Sequence, residues 1–171
     1  HPSVVAVDIE LAALTGTPPA VGATDASTEQ SRAEELRSQA REASVEVIAS
    51  VHDFTATPAV DELVDLLATA ATAGDVGKLA TTATDHRDAL AMLNATDQAT
   101  TAGHRVATMC MGEPGRHTRA VAPVYGSVIG YAPVVAAEAT APGQYPLDTL
   151  WRLIDGLRGV DDTADRPEPE R

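Results

Sequence analysis

Short apolar stretches in this chain alternate with longer segments in which apolar residues return every three or four positions. Residues 4–9, 45–49, 76–80 and 105–109 are rich in β-branched or compact apolar side chains and end at polar or glycine positions, so each is predicted as a strand. Residues 126–131 give a weaker fifth candidate. Between them, Ser27-x-x-Gln30 has the form of a capping box opening a charged helix that runs to about residue 43. Thr57-Pro58 offers an N-cap followed by a first-turn proline, with Asp61 and Glu62 where the helix dipole favours acids. Val60, Leu63, Val64, Leu67 and Ala71 then repeat at helical spacing, which predicts one buried face. Further helices are predicted over 84–100 and 146–158, the last with Leu147, Leu150, Ile154 and Leu157 on one side. Such alternation, with strands apolar almost throughout, is the pattern of a parallel sheet covered by helices. Residues 16–26, holding Pro18-Pro19 and Gly22, read as a loop insertion, and no internal repeat is present.

Composition sharpens this picture. The 171 residues, 44% of them apolar, suit one domain over 1–158, followed by an acidic tail over 159–171. Within it, residues 161–171 hold two prolines and no apolar anchor, which predicts disorder. No apolar run approaches the roughly 20 residues that span a bilayer, and no secretory-signal pattern opens the sequence. With 25 acidic against 12 basic residues the net charge is −13, which argues against a nucleic-acid or anionic membrane partner. Eleven of the 12 basic residues are arginine, leaving Lys78 as the single lysine. Scarce lysine, 3% aromatics and abundant alanine together fit adaptation to molar salt, where a Debye length of about 3 Å screens acidic self-repulsion. One cysteine, Cys110, permits no internal disulfide, so a reducing cytoplasm is expected.

In parallel α/β folds the loops after the strands converge, so chemistry is sought at the strands' C-terminal ends. Those ends carry Asp8-Ile9-Glu10, then Ser50 to Phe54, then Lys78, then Met109 to Gly112 with Gly115 and Arg119. A lysine inside an apolar strand is desolvated, which favours the neutral amine able to form a Schiff base. The alternative is an amine that snorkels to water or pairs with a carboxylate. A chain otherwise stripped of lysine has nevertheless kept this one. His52, at a neighbouring strand end, is the natural proton carrier, or else a structural histidine bonded to a loop carbonyl. Asp53 is expected to cap the following turn. Arg119 could clamp a carboxylate in a bidentate fork or simply be exposed. No HxxxH, HxH or CxxC spacing points to a metal.

Taken in order, these blocks resemble type I 3-dehydroquinate dehydratases. The resemblance is carried by Ser50-Val51-His52-Asp53-Phe54 with Thr57-Pro58, Lys78-Leu79-Ala80, Met111-Gly112 with Gly115 and Thr118-Arg119, Gly126-Ser127, and Ala141-Pro142-Gly143-Gln144. It extends over about residues 4–158. It implies a (β/α)8 TIM-type barrel, of which this chain holds about the last five βα units. It also implies dehydration of 3-dehydroquinate to 3-dehydroshikimate in the shikimate pathway, without a cofactor. Lys78 would form the imine, His52 would move the protons, Arg119 would bind the substrate carboxylate, and Thr140 and Gln144 would contact substrate. Thr118 and Thr140 stand where the family has serine, so a hydroxyl is kept at both. The family's Glu-x-Arg and Glu-Gly-Gly motifs are absent, which with the opening His1 implies that N-terminal strands are missing. Two other readings share these residues: a class I Schiff-base aldolase, and an inactive partial barrel completed by another chain. The partners expected are a small-molecule substrate and, in a homodimer, a second copy of the chain.

Overall fold

The computed structural model describes residues 4–16 and 26–159. In chain order the elements are β1 (Ala6–Glu10), α1 (Leu11–Thr15), α2 (Ala26–Glu42), β2 (Glu46–Asp53), α3 (Val60–Ala73), β3 (Val76–Thr82), α4 (His86–Thr101), β4 (Val106–Met111), α5 (Thr118–Val121) and α6 (Leu147–Arg158). Short 3-10 turns at Ala122–Tyr125 and Ala136–Glu138 lie between the last two helices. The four strands are parallel and pair in sequence order, β1-β2-β3-β4. Residues 17–25 and 160–171 lie outside the described residues, and with them most of the expected loop insertion and tail.

Because side chains alternate along a strand, the sheet sorts its residues onto two faces. One face is closed by helices. Leu63 and Leu67 of α3 and Met92 of α4 pack there on Leu79, Val106 and Cys110, all essentially inaccessible. Ile9, Val47 and Ala49 continue that layer beneath α1 and α2. Each fully buried leucine contributes about 1.5–3 kcal/mol by leaving water. The approach of α3 is close enough to require glycine at position 77: a Cβ there would lie 2.6 Å from Ala71 N. On the other face, Ile48, Val76 and Ala107 form a small apolar floor with Ala6 and Ile129. Two residues further along, β1, β2 and β3 carry Asp8, Ser50 and Lys78, while β4 carries Met109.

Several boundaries differ from those expected. Residues 126–131 form no strand. The Val128 N–H bonds to Val106 O at 2.9 Å, but the neighbouring Thr108 N–H is taken by the Ser127 hydroxyl at 3.0 Å, so no ladder develops. Thr57 does not cap α3, whose N-cap is Ala59 with no side-chain bond. Its hydroxyl is engaged instead with Thr81 Oγ1 (2.8 Å) and the Thr82 carbonyl (2.9 Å), fastening the loop to β3. Helix α2 begins at Ala26, so Ser27 sits inside its first turn rather than at its cap. The true capping box belongs to α4, where Asp85 accepts from Arg87 N and Asp88 N while Asp88 reaches back to Asp85 N. On α6, Leu150 and Ile154 are buried while Leu147 and Leu157 stay exposed.

Candidate active site

Strand β3 places Lys78 at the middle of the sheet, opposite Ser50 of β2 and Ala107 of β4. It faces the side away from the helix layer and is 8% exposed. Its Nζ donates to Asp8 Oδ2 at 2.7 Å and stands 4.7 Å from the centroid of the Tyr131 ring. The amine is therefore paired as well as desolvated, a combination of the two readings its sequence position allowed. Burial pushes the Tyr131 phenol up, and the Lys78 charge partly pulls it back. Ser50, next to Lys78 in register, is buried, and its Oγ has no hydrogen-bond partner among the described residues.

His52 emerges two residues after Ser50, opposite Ala80. Its Nδ1 is hydrogen-bonded to Glu10 Oε1, and its ring stacks on Phe54 with centroids 5.8 Å apart. Asp53 turns the other way and closes an Asx turn, accepting from Thr55 N (2.8 Å), Thr55 Oγ1 (2.7 Å) and Ala56 N (3.0 Å). The Thr55 bonds hold its carboxyl below the ordinary aspartate range. Lys78 and His52 are brought to one face of adjacent strands, each with its own carboxylate from β1.

Arg119 reaches the same region by a different route. Gly115 brings the loop after β4 so close that a Cβ would meet Cys110 Cβ at 2.4 Å. The buried Thr118 hydroxyl accepts from Cys110 N (2.8 Å) and donates to Gly115 O (2.7 Å), which pins α5 to the end of β4. Arg119 is consequently 5% exposed, with no carboxylate paired to it among the described residues. Its Nη1 rests on Met109 Sδ at 3.6 Å, its Nη2 donates to Pro142 O at 3.3 Å, and its Nε is unpartnered. Burial lowers the guanidinium's proton affinity. Arg119, Tyr131 and Met109 line one hollow. The Pro142 contact ties in the segment holding Thr140 and Gln144, where Gln144 Oε1 accepts from Thr140 N at 2.9 Å. Thr140 itself is exposed.

Cys110 lies behind the sheet, and burial pushes its thiol up, so it stays protonated and outside the site. His86 and His117 meet edge to face on the periphery, at 6.2 Å. Among the described residues no three His, Cys, Asp or Glu are grouped to hold a metal ion, and no helix is long and apolar enough to cross a membrane.

Residues 7–158 match the family model for type I 3-dehydroquinase. The chain belongs to this family. It is 51% identical over 158 residues to 3-dehydroquinate dehydratase of Haloarcula marismortui, covering 92% of this chain and 64% of that protein. Against 3-dehydroquinate dehydratase of Haloquadratum walsbyi the identity is 49%, covering 92% and 58%. The chain thus spans about three fifths of the length of these relatives. Among solved structures, 3-dehydroquinate dehydratase from Geobacillus kaustophilus superposes with a TM-score of 0.73 at 29% identity, over 90% of this chain and 54% of that one. A type I enzyme from Clostridium difficile, solved with covalent modified comenic acid, gives 0.72 at 26%, over 91% and 56%. The type I dehydroquinases therefore share the α/β architecture of this chain.

The carboxylates of β1 are the site residues that sequence reasoning passed over. Asp8 and Glu10 were visible at a strand end, and their i, i+2 spacing already put them on one face. Tyr131 gave no signal, since it lies in irregular chain joined to Lys78 only by the fold.

Proposed function

We propose that this chain carries the reacting half of a 3-dehydroquinate dehydratase, removing water from 3-dehydroquinate through a Schiff base on Lys78. Its four strands would be consecutive strands of a (β/α)8 barrel, with the segment after Gly126 lying where the next strand would run. The observation that carries this reading is the buried Lys78 amine on the same sheet face as His52. The amine adds to the ketone carbon and water leaves, giving an iminium. His52 takes the proton from the adjacent carbon, and the C–H electrons flow into the iminium to form an enamine. The enamine then expels the β-hydroxyl, which receives its proton from His52 and departs as water. Hydrolysis of the product iminium frees Lys78.

Glu10 holds His52 in one tautomer and steadies its cationic form. Arg119, buried with no carboxylate partner among the described residues, is suited to the substrate's carboxylate. Thr140 and Gln144 would contact the substrate from the loop tied to Arg119. Such chemistry needs neither metal nor redox cofactor. On this reading the protein works in the cytoplasm, in the shikimate pathway that leads to aromatic amino acids. The acidic composition and the haloarchaeal relatives favour activity at molar salt. Dialysis to dilute buffer should collapse the circular dichroism spectrum, whereas a fold retained there would refute the salt adaptation.

Borohydride reduction with 3-dehydroquinate at high salt tests the central claim by peptide mass spectrometry. An adduct on Lys78 is expected. A folded chain with no adduct would favour the partial-barrel reading, and an adduct only with aldol substrates would favour the aldolase.

A further inference from the structure

The loop holding Thr140 and Gln144 is fastened by two arginines, and only one of them is free to keep hold of it. Arg119 Nη2 donates to Pro142 O at 3.3 Å. A substrate carboxylate arriving at Arg119 would compete for that donor, so this fastening weakens at the moment the loop is needed. Arg116 holds the same loop by another route. Its guanidinium lies over the Tyr145 ring, 4.1 Å from the centroid. Its stem passes Gly143, where a Cβ would lie 3.6 Å from both Arg116 Cβ and Arg116 Cγ. Gln144 is therefore flanked in the chain by two residues that rest on one side chain. Tyr145 in turn packs against Ala120, Leu150 and Ile154, which ties the loop to α5 and α6. Arg116 is exposed, yet in a chain with 25 acids it joins no ion pair among the described residues. Molar salt screens an exposed ion pair, whereas a guanidinium on a ring also keeps its contact area.

We propose that Arg116 is a positioning residue for substrate binding: stacked on Tyr145, it keeps Thr140 and Gln144 in place when Arg119 turns from Pro142 to the substrate carboxylate. This rests on the reading of Arg119, Thr140 and Gln144 given above. Arg116 acts through the loop and stays clear of the reacting atoms. Without the stack the loop spends part of its time out of position, and affinity falls by that fraction while the chemistry at Lys78 and His52 is untouched.

Borohydride trapping of the Lys78 adduct over a range of 3-dehydroquinate concentrations, in the full chain at high salt, gives a half-saturating concentration and a maximal rate. Arg116→Met keeps the stem and removes the cation. It should raise the half-saturating concentration about fivefold and hold the maximal rate within about twofold of the parent. Tyr145→Leu should do the same, and Tyr145→Phe, which keeps the ring, should recover most of the loss. The double variant Arg116→Met with Tyr145→Leu should be no weaker than either single one. A folded Arg116→Met that saturates like the parent would overturn the inference, as would a loss confined to the maximal rate. Losses that multiply in the double variant would overturn it too, since the two side chains would then act apart. Should Tyr145→Leu fail to fold, Tyr145→Phe decides, and binding as weak as in Arg116→Met defeats the stack. Thr140→Ala and Gln144→Ala test the reading beneath: if both saturate like the parent, the loop does not meet the substrate and the inference falls with it. No adduct in the parent chain would overturn the Schiff-base reading and this inference together.

Discussion

The two faces of the sheet differ although they are built from the same four strands. Beneath the helices, Leu79, Val106 and Cys110 pack with Leu63, Leu67 and Met92 in one fully buried cluster. On the opposite face stand Lys78, next to Leu79 in the chain, Ser50, next to Ala49, and the carboxylates of β1 on either side of Ile9. The helix-covered face holds the molecule together through non-directional burial, so its residues are interchangeable within limits of volume. The polar face depends on particular atoms at particular distances. Since each strand contributes to both, the rigidity of the first fixes the geometry of the second.

The comparison is sharpened most by changing Lys78. Lys78→Ala should abolish the borohydride adduct and lower any turnover at least about ten-thousandfold, with the melting transition still present. Loss of the fold instead would mean that the polar face stabilises as much as the apolar one. His52→Ala should slow turnover about a thousandfold yet leave Lys78 able to trap the ketone, because the proton carrier and the nucleophile occupy different strands. If trapping also disappeared, the histidine would be part of imine formation. Leu67→Ala, on the helix-covered face, should cost about 3 kcal/mol in denaturant titrations while the adduct yield per folded molecule stays constant. A fall in yield at full folding would show the two faces to be less separable than the packing implies.

The smallest effect concerns acid. Hydrogen bonds from Thr84, its backbone N–H foremost, hold the Asp88 carboxyl below its ordinary value of 3.8. A lowered carboxyl stabilises the fold at pH above its unfolded value, and this contribution is lost as pH falls through the folded one. Asp88→Asn should therefore cost about 0.5–1 kcal/mol near neutrality, as for other helix caps, and nothing near pH 2. Chemical melts across that range at constant high salt would measure it. An unchanged acid limb would assign the acid sensitivity to the polar face instead.

Much of this organisation could be read from sequence because local signals agreed with tertiary need. The four strands are apolar almost throughout, and α3 buries Leu63 and Leu67 from its expected apolar repeat. Lys78 was legible because it broke a compositional rule. What escaped was non-local. The bond from Lys78 to Asp8 spans 70 residues, and the Tyr131 contact depends on where irregular chain happens to cross the sheet. Thr57-Pro58 had the form of a helix cap, but the threonine hydroxyl found better partners on β3. Residues 126–131 had the composition of a strand, but Ser127 consumed the backbone donor that a ladder needed.

The single thiol has a practical consequence. Cys110 is shut behind the sheet, with its own backbone N–H bonded to Thr118 at the root of α5. A thiol reagent can reach it only when the packing around it opens. The rate of labelling is therefore a clock on how often the cover made by α3, α4 and the Gly115 loop lifts from this end of β4, readable without introducing a cysteine. The chain carries its own reporter on the wall that separates its structural face from its reactive one.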